Sequence, residues 1–155
     1  MARRFSFGVL GTVVAVGLDQ FSKLLVVNNA SALSAGYSVL PGFDLVYHRN
    51  SGISFGMLSG APSWALIFLA VCVCLWLIAL IARTKERLEA VALGLILGGG
   101  LGNAIDRLRV GAVTDFLDIY IGELHWPAFN LADAAIFCGG ALLIARPFSR
   151  HSRNK

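Results

Sequence analysis

Hydrophobic residues run through this chain in four long stretches, covering residues 5–27, 62–82, 88–105 and 130–145. Each approaches the ~20 apolar residues that a helix needs to cross a bilayer. The second is the purest, since no charged residue stands between Asn50 and Ala82, and a charged break at 83–89 follows it. The first and fourth are interrupted by Asp19, Lys23 and Asp133. Between the stretches the period changes. Pro41-Gly42 reads as a turn, and residues 43–48 after it have strand character. Residues 113–121 are a stronger strand candidate, rich in β-branched and aromatic side chains. Alternation puts Val113, Asp115, Leu117, Ile119 and Ile121 on one face, and Thr114, Phe116, Asp118 and Tyr120 on the other. Asp115 is therefore an isolated acid on an aliphatic face. The pattern predicts a mainly α membrane protein, with four transmembrane helices and a small sheet at one membrane surface, forming one domain over residues 1–155.

Composition strengthens this reading. The chain is 57% hydrophobic and 14% charged, whereas soluble domains carry about 25% charged residues. A soluble domain, a disordered chain and a nucleic-acid binder built on a basic face are all excluded. Cys72, Cys74 and Cys138 lie inside apolar runs, which points to buried thiols rather than a disulfide framework. A cleavable signal peptide, from Arg3-Arg4 to the small residues Ala30-Ser31-Ala32, is disfavoured because Asp19 and Lys23 interrupt the approach to that site.

Charge is unevenly placed. Arg3, Arg4, Arg83, Lys85, Arg87, Arg146, Arg150, Arg153 and Lys155 fall on one side of the four stretches; Lys23, Arg49, Arg107 and Arg109 fall on the other. Basic residues near span ends mark the cytoplasmic face, so both termini and the 83–89 loop are expected there. Of the acids, Glu86 and Glu89 share that side, while Asp19, Asp44, Asp106, Asp115, Asp118, Glu123 and Asp133 gather on the outer half. Acids contribute little to topology, so their gathering needs another cause.

An ionisable residue within a span is a functional candidate. Asn130 and Asp133 share a helix face at i, i+3, and Asp19 and Lys23 have the i, i+4 spacing of an ion pair. Asn103, Asp106 and Arg107 form a polar stripe beside the glycines at 98, 99, 100 and 102, which permit close helix contact or substrate approach. Serine chemistry lacks an activating base, because adjacent Ser22 and Lys23 do not face each other on a helix. His48, His125 and His151 lack metal-ligand spacing, so no metal or cofactor is expected. Asp115 and Asp133 remain as a candidate pair: two close carboxyls in a low dielectric share a proton, and one can then act as base while the other acts as acid. Two unrelated polar contacts are the open alternative. A four-span proton-coupled transporter or channel is the competing class, and a non-catalytic scaffold a third; a conduit needs polar groups along its whole path, whereas these acids cluster at one face.

Five blocks carry a more specific signal: Asp19-Gln20-Phe21-Ser22-Lys23; Asn50-Ser51-Gly52-Ile53-Ser54-Phe55-Gly56; Gly99 through Arg107, reading GGLGNAIDR; Val113-Thr114-Asp115-Phe116; and Phe129-Asn130-Leu131-Ala132-Asp133. In this order the chain resembles the bacterial lipoprotein signal peptidases (signal peptidase II), which are membrane-embedded aspartic proteases. The resemblance implies Asp115 and Asp133 as the catalytic pair. Asn50, Gly99, Asn103, Asp106, Arg107 and Asn130 would line or brace the site, and Asp19 and Lys23 would stabilise the fold near it. It further implies four transmembrane helices, a small extracytoplasmic β-cradle and a short periplasmic helix over the site. The implied substrate is a prolipoprotein whose lipobox cysteine carries diacylglycerol, cut on the N-terminal side of that cysteine. Membrane lipid and globomycin-type cyclic peptides are the other implied partners. A monomer in the bacterial inner membrane, with its site at the outer face, is expected.

Overall fold

A computed structural model describes residues 2–52 and 62–151. These form helix α1 (Ala2–Asn28), the one-turn α2 (Ala30–Leu33), strands β1 (Tyr37–Leu40) and β2 (Phe43–Asn50), and helices α3 (Ser63–Arg83) and α4 (Arg87–Val110). Strands β3 (Val113–Ile121) and β4 (Leu124–His125) then precede helix α5 (Leu131–His151). The four long helices answer to the four apolar stretches. In α1, α3 and α4 the runs Arg4–Asn28, Trp64–Arg83 and Arg87–Val110 are long and apolar enough to cross a bilayer. The apolar part of α5, Leu131–Ala145, is shorter: roughly 22 Å at 1.5 Å per residue, against a hydrocarbon layer of ~30 Å. It is short because its N-terminus stops at a buried polar centre. Conversely, α4 continues past residue 105, since Asp106 and Arg107 find partners inside the protein. It ends at Gly111, whose left-handed φ of 74° lets its N–H bond the Arg107 carbonyl.

Helix α4 packs against α1, α3 and α5, and its glycines make this possible. A Cβ on Gly98 would sit 2.6 Å from the Ala15 Cβ and 2.7 Å from the Thr12 carbonyl of α1. One on Gly99 would collide with the Ala132 carbonyl of α5, and one on Gly102 with the Asp19 carboxylate. The expected close helix contact is thus present, with different glycines serving different neighbours. The burial pattern is the inverse of a soluble protein's. Trp64, Phe68 and Phe137 face outward, while Asp19, Lys23, Asp115 and Asn130 are buried. Of the three cysteines expected to be buried, Cys74 is, but Cys72 and Cys138 lie on the outer surface. A thiol behaves as a small apolar group, so a lipid-facing position suits it as well as a core does.

The sheet has the order β1-β2-β3-β4 with antiparallel neighbours. The strand expected at 113–121 is β3; the one expected at 43–48 runs on to Asn50. Leu45 lies opposite Leu117 but His48 lies opposite Asp115, so β2 carries one extra residue. Such a bulge shifts every later side chain by one position and decides which β2 residues approach Asp115. Phe116 seats the sheet on Val26 of α1 and Leu33 of α2, on the face opposite Asp115. The described residues contain one short helix, α2, and none of its residues lines the cavity described below. Residues 53–56 of the second block lie outside the described residues.

The helix contact gives a direct test. Gly98→Ala should lower thermal stability in detergent by the ~1–3 kcal/mol of an overpacked contact. Gly140→Ala, where a Cβ meets nothing within 4 Å, should not lower it.

Candidate active site

Where α1, α4, α5 and β3 converge, a buried ammonium organises the polar side chains. Lys23 Nζ lies 2.9 Å from Asp19 Oδ2 and 3.2 Å from Asp106 Oδ2, and donates to Asn103 Oδ1 at 3.0 Å. Each partner then holds another element. Asp19 Oδ1 accepts the Ala132 N–H of α5 at 2.9 Å. Asp106 Oδ2 accepts the Thr114 N–H of β3 at 3.0 Å. The reading of Asp19 and Lys23 as a structural ion pair gains a third charge, Asp106.

Asn130 occupies the N-cap position of α5. Its Oδ1 accepts the Asp133 N–H at 3.0 Å, and Asp133 Oδ2 looks back at the Asn130 N–H at 3.4 Å. This reciprocal arrangement is a capping box: the i, i+3 pair seen in the sequence also starts the helix. With its other end, Asn130 Nδ2 donates to Asp115 Oδ1 at 2.6 Å and to Asn103 Oδ1 at 3.2 Å. Asn50 Nδ2 donates to Asp115 Oδ2 at 2.9 Å, and Asn103 Nδ2 donates to Asp133 Oδ1 at 2.9 Å. Arg107 reaches back to the Gly52 carbonyl at 2.7 Å, and the Gly52 N–H bonds Asn50 Oδ1 at 3.0 Å. Arg107 therefore braces the turn that presents Asn50. Gly99 takes part through its missing side chain, which lets α5 approach.

Asp115 and Asp133 line one cavity of about 860 Å³ between β3, β4 and α5. Ile119, Leu124, Trp126, Phe129 and Phe137 give it apolar walls. Burial pushes the Asp115 carboxyl above the usual carboxylate range; the Asn50 bond pulls it back, and nearby Asp133 pushes it up again. Asp118, assigned by alternation to the other face, bonds His125 Nδ1 at 2.8 Å instead.

Asp19, Lys23, Asn50, Asn103, Asp106, Arg107, Asp115, Asn130 and Asp133 thus fall in one hydrogen-bonded region, with Gly99 beside it by contact alone. Sequence reasoning missed Gln20, whose Nε2 reaches Asp19 Oδ2 at 3.1 Å, the Gly102 carbonyl at 3.2 Å and Asp106 Oδ1 at 3.2 Å. Its signal was an amide beside an acid within a span. The walls from Trp126 to Phe129 were missed too, their signal being aromatics in an otherwise polar connection.

Four apolar helices and a small sheet, with two carboxyls in a mostly apolar cavity, define a multi-pass membrane protein. Comparison with known proteins gives the family. The family model described as signal peptidase II matches residues 11–149, and the chain belongs to this family of proteases. A lipoprotein signal peptidase of Alteromonas mediterranea is 43% identical, over 88% of this chain and 78% of the relative. One of Anaplasma phagocytophilum is 37% identical over 97% of both chains. A solved bacterial membrane enzyme superposes with a TM-score of 0.83 at 29% identity, covering 96% of this chain and 91% of its own.

The raised Asp115 proton affinity has a sign that can be checked. Below the usual carboxylate range both folded and unfolded chains hold this proton, and Asp115 carries no penalty. As pH rises through that range toward the raised folded value, the folded state becomes the dearer one to ionise. Wild-type stability should therefore fall with rising pH relative to Asp115→Asn. Thermal unfolding of both proteins from acid to neutral pH measures the difference.

Proposed function

We propose that this protein removes signal peptides from prolipoproteins, and that Asp115 and Asp133 do the chemistry as an aspartic dyad. The observation that carries this is that two carboxyls from separate elements line the same largely apolar cavity, with the Asn130 amide bonding the carboxyl of one and the backbone N–H of the other. One carboxylate takes a proton from water as the water attacks the scissile carbonyl, and the other carboxyl protonates the carbonyl oxygen. Cleavage on the N-terminal side of a diacylglyceryl-modified cysteine leaves a free α-amine on the lipoprotein and a carboxylate on the released signal peptide. The apolar walls suit a substrate that is lipid-attached and hydrophobic. Asn50, Asn103 and Asn130 hold the carboxyls, Asp106 and Arg107 brace β3 and the Gly52 turn, and Gly99 admits α5.

The uneven distribution of basic residues supports both termini and the 83–89 loop in the cytoplasm, with the cavity at the outer face of the inner membrane. The enzyme acts there as a monomer without a metal or organic cofactor. Globomycin-type cyclic peptides inhibit it by placing a hydroxyl between the two carboxyls. A proton-coupled conduit fits less well, because the buried ionisable residues described here join into one cluster around Lys23 rather than a path.

The test is cleavage of a diacylglyceryl-modified prolipoprotein by purified protein. Asp115→Asn and Asp133→Asn should each lower turnover by the roughly 10²–10⁴-fold typical of a lost acid or base. Asp118→Asn should cleave near the wild-type rate, and EDTA should leave turnover unchanged. Normal turnover in either dyad variant overturns the assignment.

A further inference from the structure

We infer that the carboxyl pair is polarised before substrate arrives, with Asp115 as the base and the shared proton on Oδ2 of Asp133. This rests on the dyad reading above and adds which member does what. An amide can face either way round, so its direction is set by a neighbour that can only donate or only accept. All three amides around the pair have such a neighbour. Asn50 Oδ1 accepts the Gly52 N–H, Asn130 Oδ1 accepts the Asp133 N–H, and Asn103 Oδ1 accepts the Lys23 ammonium, each at 3.0 Å. None of these donors can reverse its role, so each asparagine must turn its NH₂ toward the pair.

The consequence is unequal. Asp115 receives an amide N–H on both oxygens, at 2.6 and 2.9 Å, and donors of this kind favour the ionised form. Asp133 receives one at 2.9 Å on Oδ1. Its Oδ2 has the Asn130 N–H at 3.4 Å, beyond the range of a good N–H···O bond. Two neighbouring carboxyls in a low dielectric hold one proton between them, and Oδ2 of Asp133, whose donor contact is the longest of the four, is the oxygen best placed to carry it. Lys23 contributes from a distance: it touches neither carboxyl of the pair by a hydrogen bond described here, yet it fixes which end of Asn103 faces Asp133. It is a positioning residue.

The reaction then has a direction. Water attacks the scissile carbonyl carbon, its proton passes to Asp115, and the Asp133 proton passes to the carbonyl oxygen, giving a neutral gem-diol. In the second half Asp115 gives its proton to the amide nitrogen and a diol hydroxyl returns one to Asp133. The C–N bond breaks, and both aspartates regain their starting states.

The test is the pH dependence of kcat/KM for lipid-modified prolipoprotein, in wild type, Asn50→Ala and Asn103→Ala. The surrounding charges, Lys23 and Asp19 from α1 and Asp106 and Arg107 from α4, are the same in all three. Losing the Asn50 donor should move the acidic limb upward by roughly one pH unit and leave the alkaline limb in place. Losing the Asn103 donor should move the alkaline limb and leave the acidic one. The opposite assignment of limbs, or both limbs moving together in each variant, overturns the polarity. A measurement that needs no turnover covers the case where an alanine variant fails to fold. At neutral pH the infrared band of the wild-type protonated carboxyl should shift in Asn103→Ser, where a donor to Asp133 is changed, and stay in place in Asn50→Ser, where a donor to Asp115 is changed; the reverse overturns the inference. Normal turnover in Asp115→Asn or Asp133→Asn would instead remove the dyad reading itself, so the two failures are distinguishable.

Discussion

The structure depends on the solvation of one ammonium group. A charge buried in a membrane-embedded bundle is tolerated only when other charges and hydrogen bonds replace its water. Lys23 finds them in Asp19, Asp106 and Asn103, and the spare oxygens of the two acids go on to the backbones of α5 and β3. The position of three helices and a strand is therefore referred to a single nitrogen. Taking that nitrogen away would strip two buried carboxylates of their ion-pair partner, a loss of about 3–5 kcal/mol for a pair of this kind.

Around this anchor the same groups start a helix and hold the carboxyl pair. The first turn of α5 has backbone N–H groups with no partner of their own. Asp19 satisfies Ala132, and Asn130 satisfies Asp133. The cap that starts the helix is thus also the amide that bonds the Asp115 carboxyl, so the start of α5 and the placement of Asp115 cannot vary independently. The close approach of α5 to α4 at Gly99 belongs to the same arrangement, since a larger residue there would displace the cap.

Much of this was legible in the chain. Four apolar stretches marked the long helices, because a bilayer imposes length and polarity on any span. Alternation in residues 113–121 separated Asp115 from Asp118 correctly, because β3 is regular through that stretch. The charges stood out because the rest of the chain has so few. Other features were hidden for physical reasons. The β2 bulge depends on pairing between distant strands, so no local pattern announces it. The extension of α4 to Val110 contradicts a hydropathy boundary, since its last polar residues are satisfied by tertiary contacts. Asn130 could be placed on a face with Asp133, but its part in a capping box needs the chain entering the helix from outside. The outward Cys72 and Cys138 follow from a rule learned in water, which lipid removes.

The abbreviated apolar run of α5 bears on how the protein sits among lipids. With roughly 22 Å of apolar helix against a layer of ~30 Å, α5 matches the hydrocarbon only when its polar last turns are counted, and the cavity walls from β3, β4 and the chain before α5 are the part of the fold that joins its N-terminus. A helix whose apolar run is shorter than the hydrocarbon layer is accommodated by local thinning of the bilayer, at a modest cost per ångström. Thinning beside α5 would bring the membrane surface closer to the cavity at its N-terminal end.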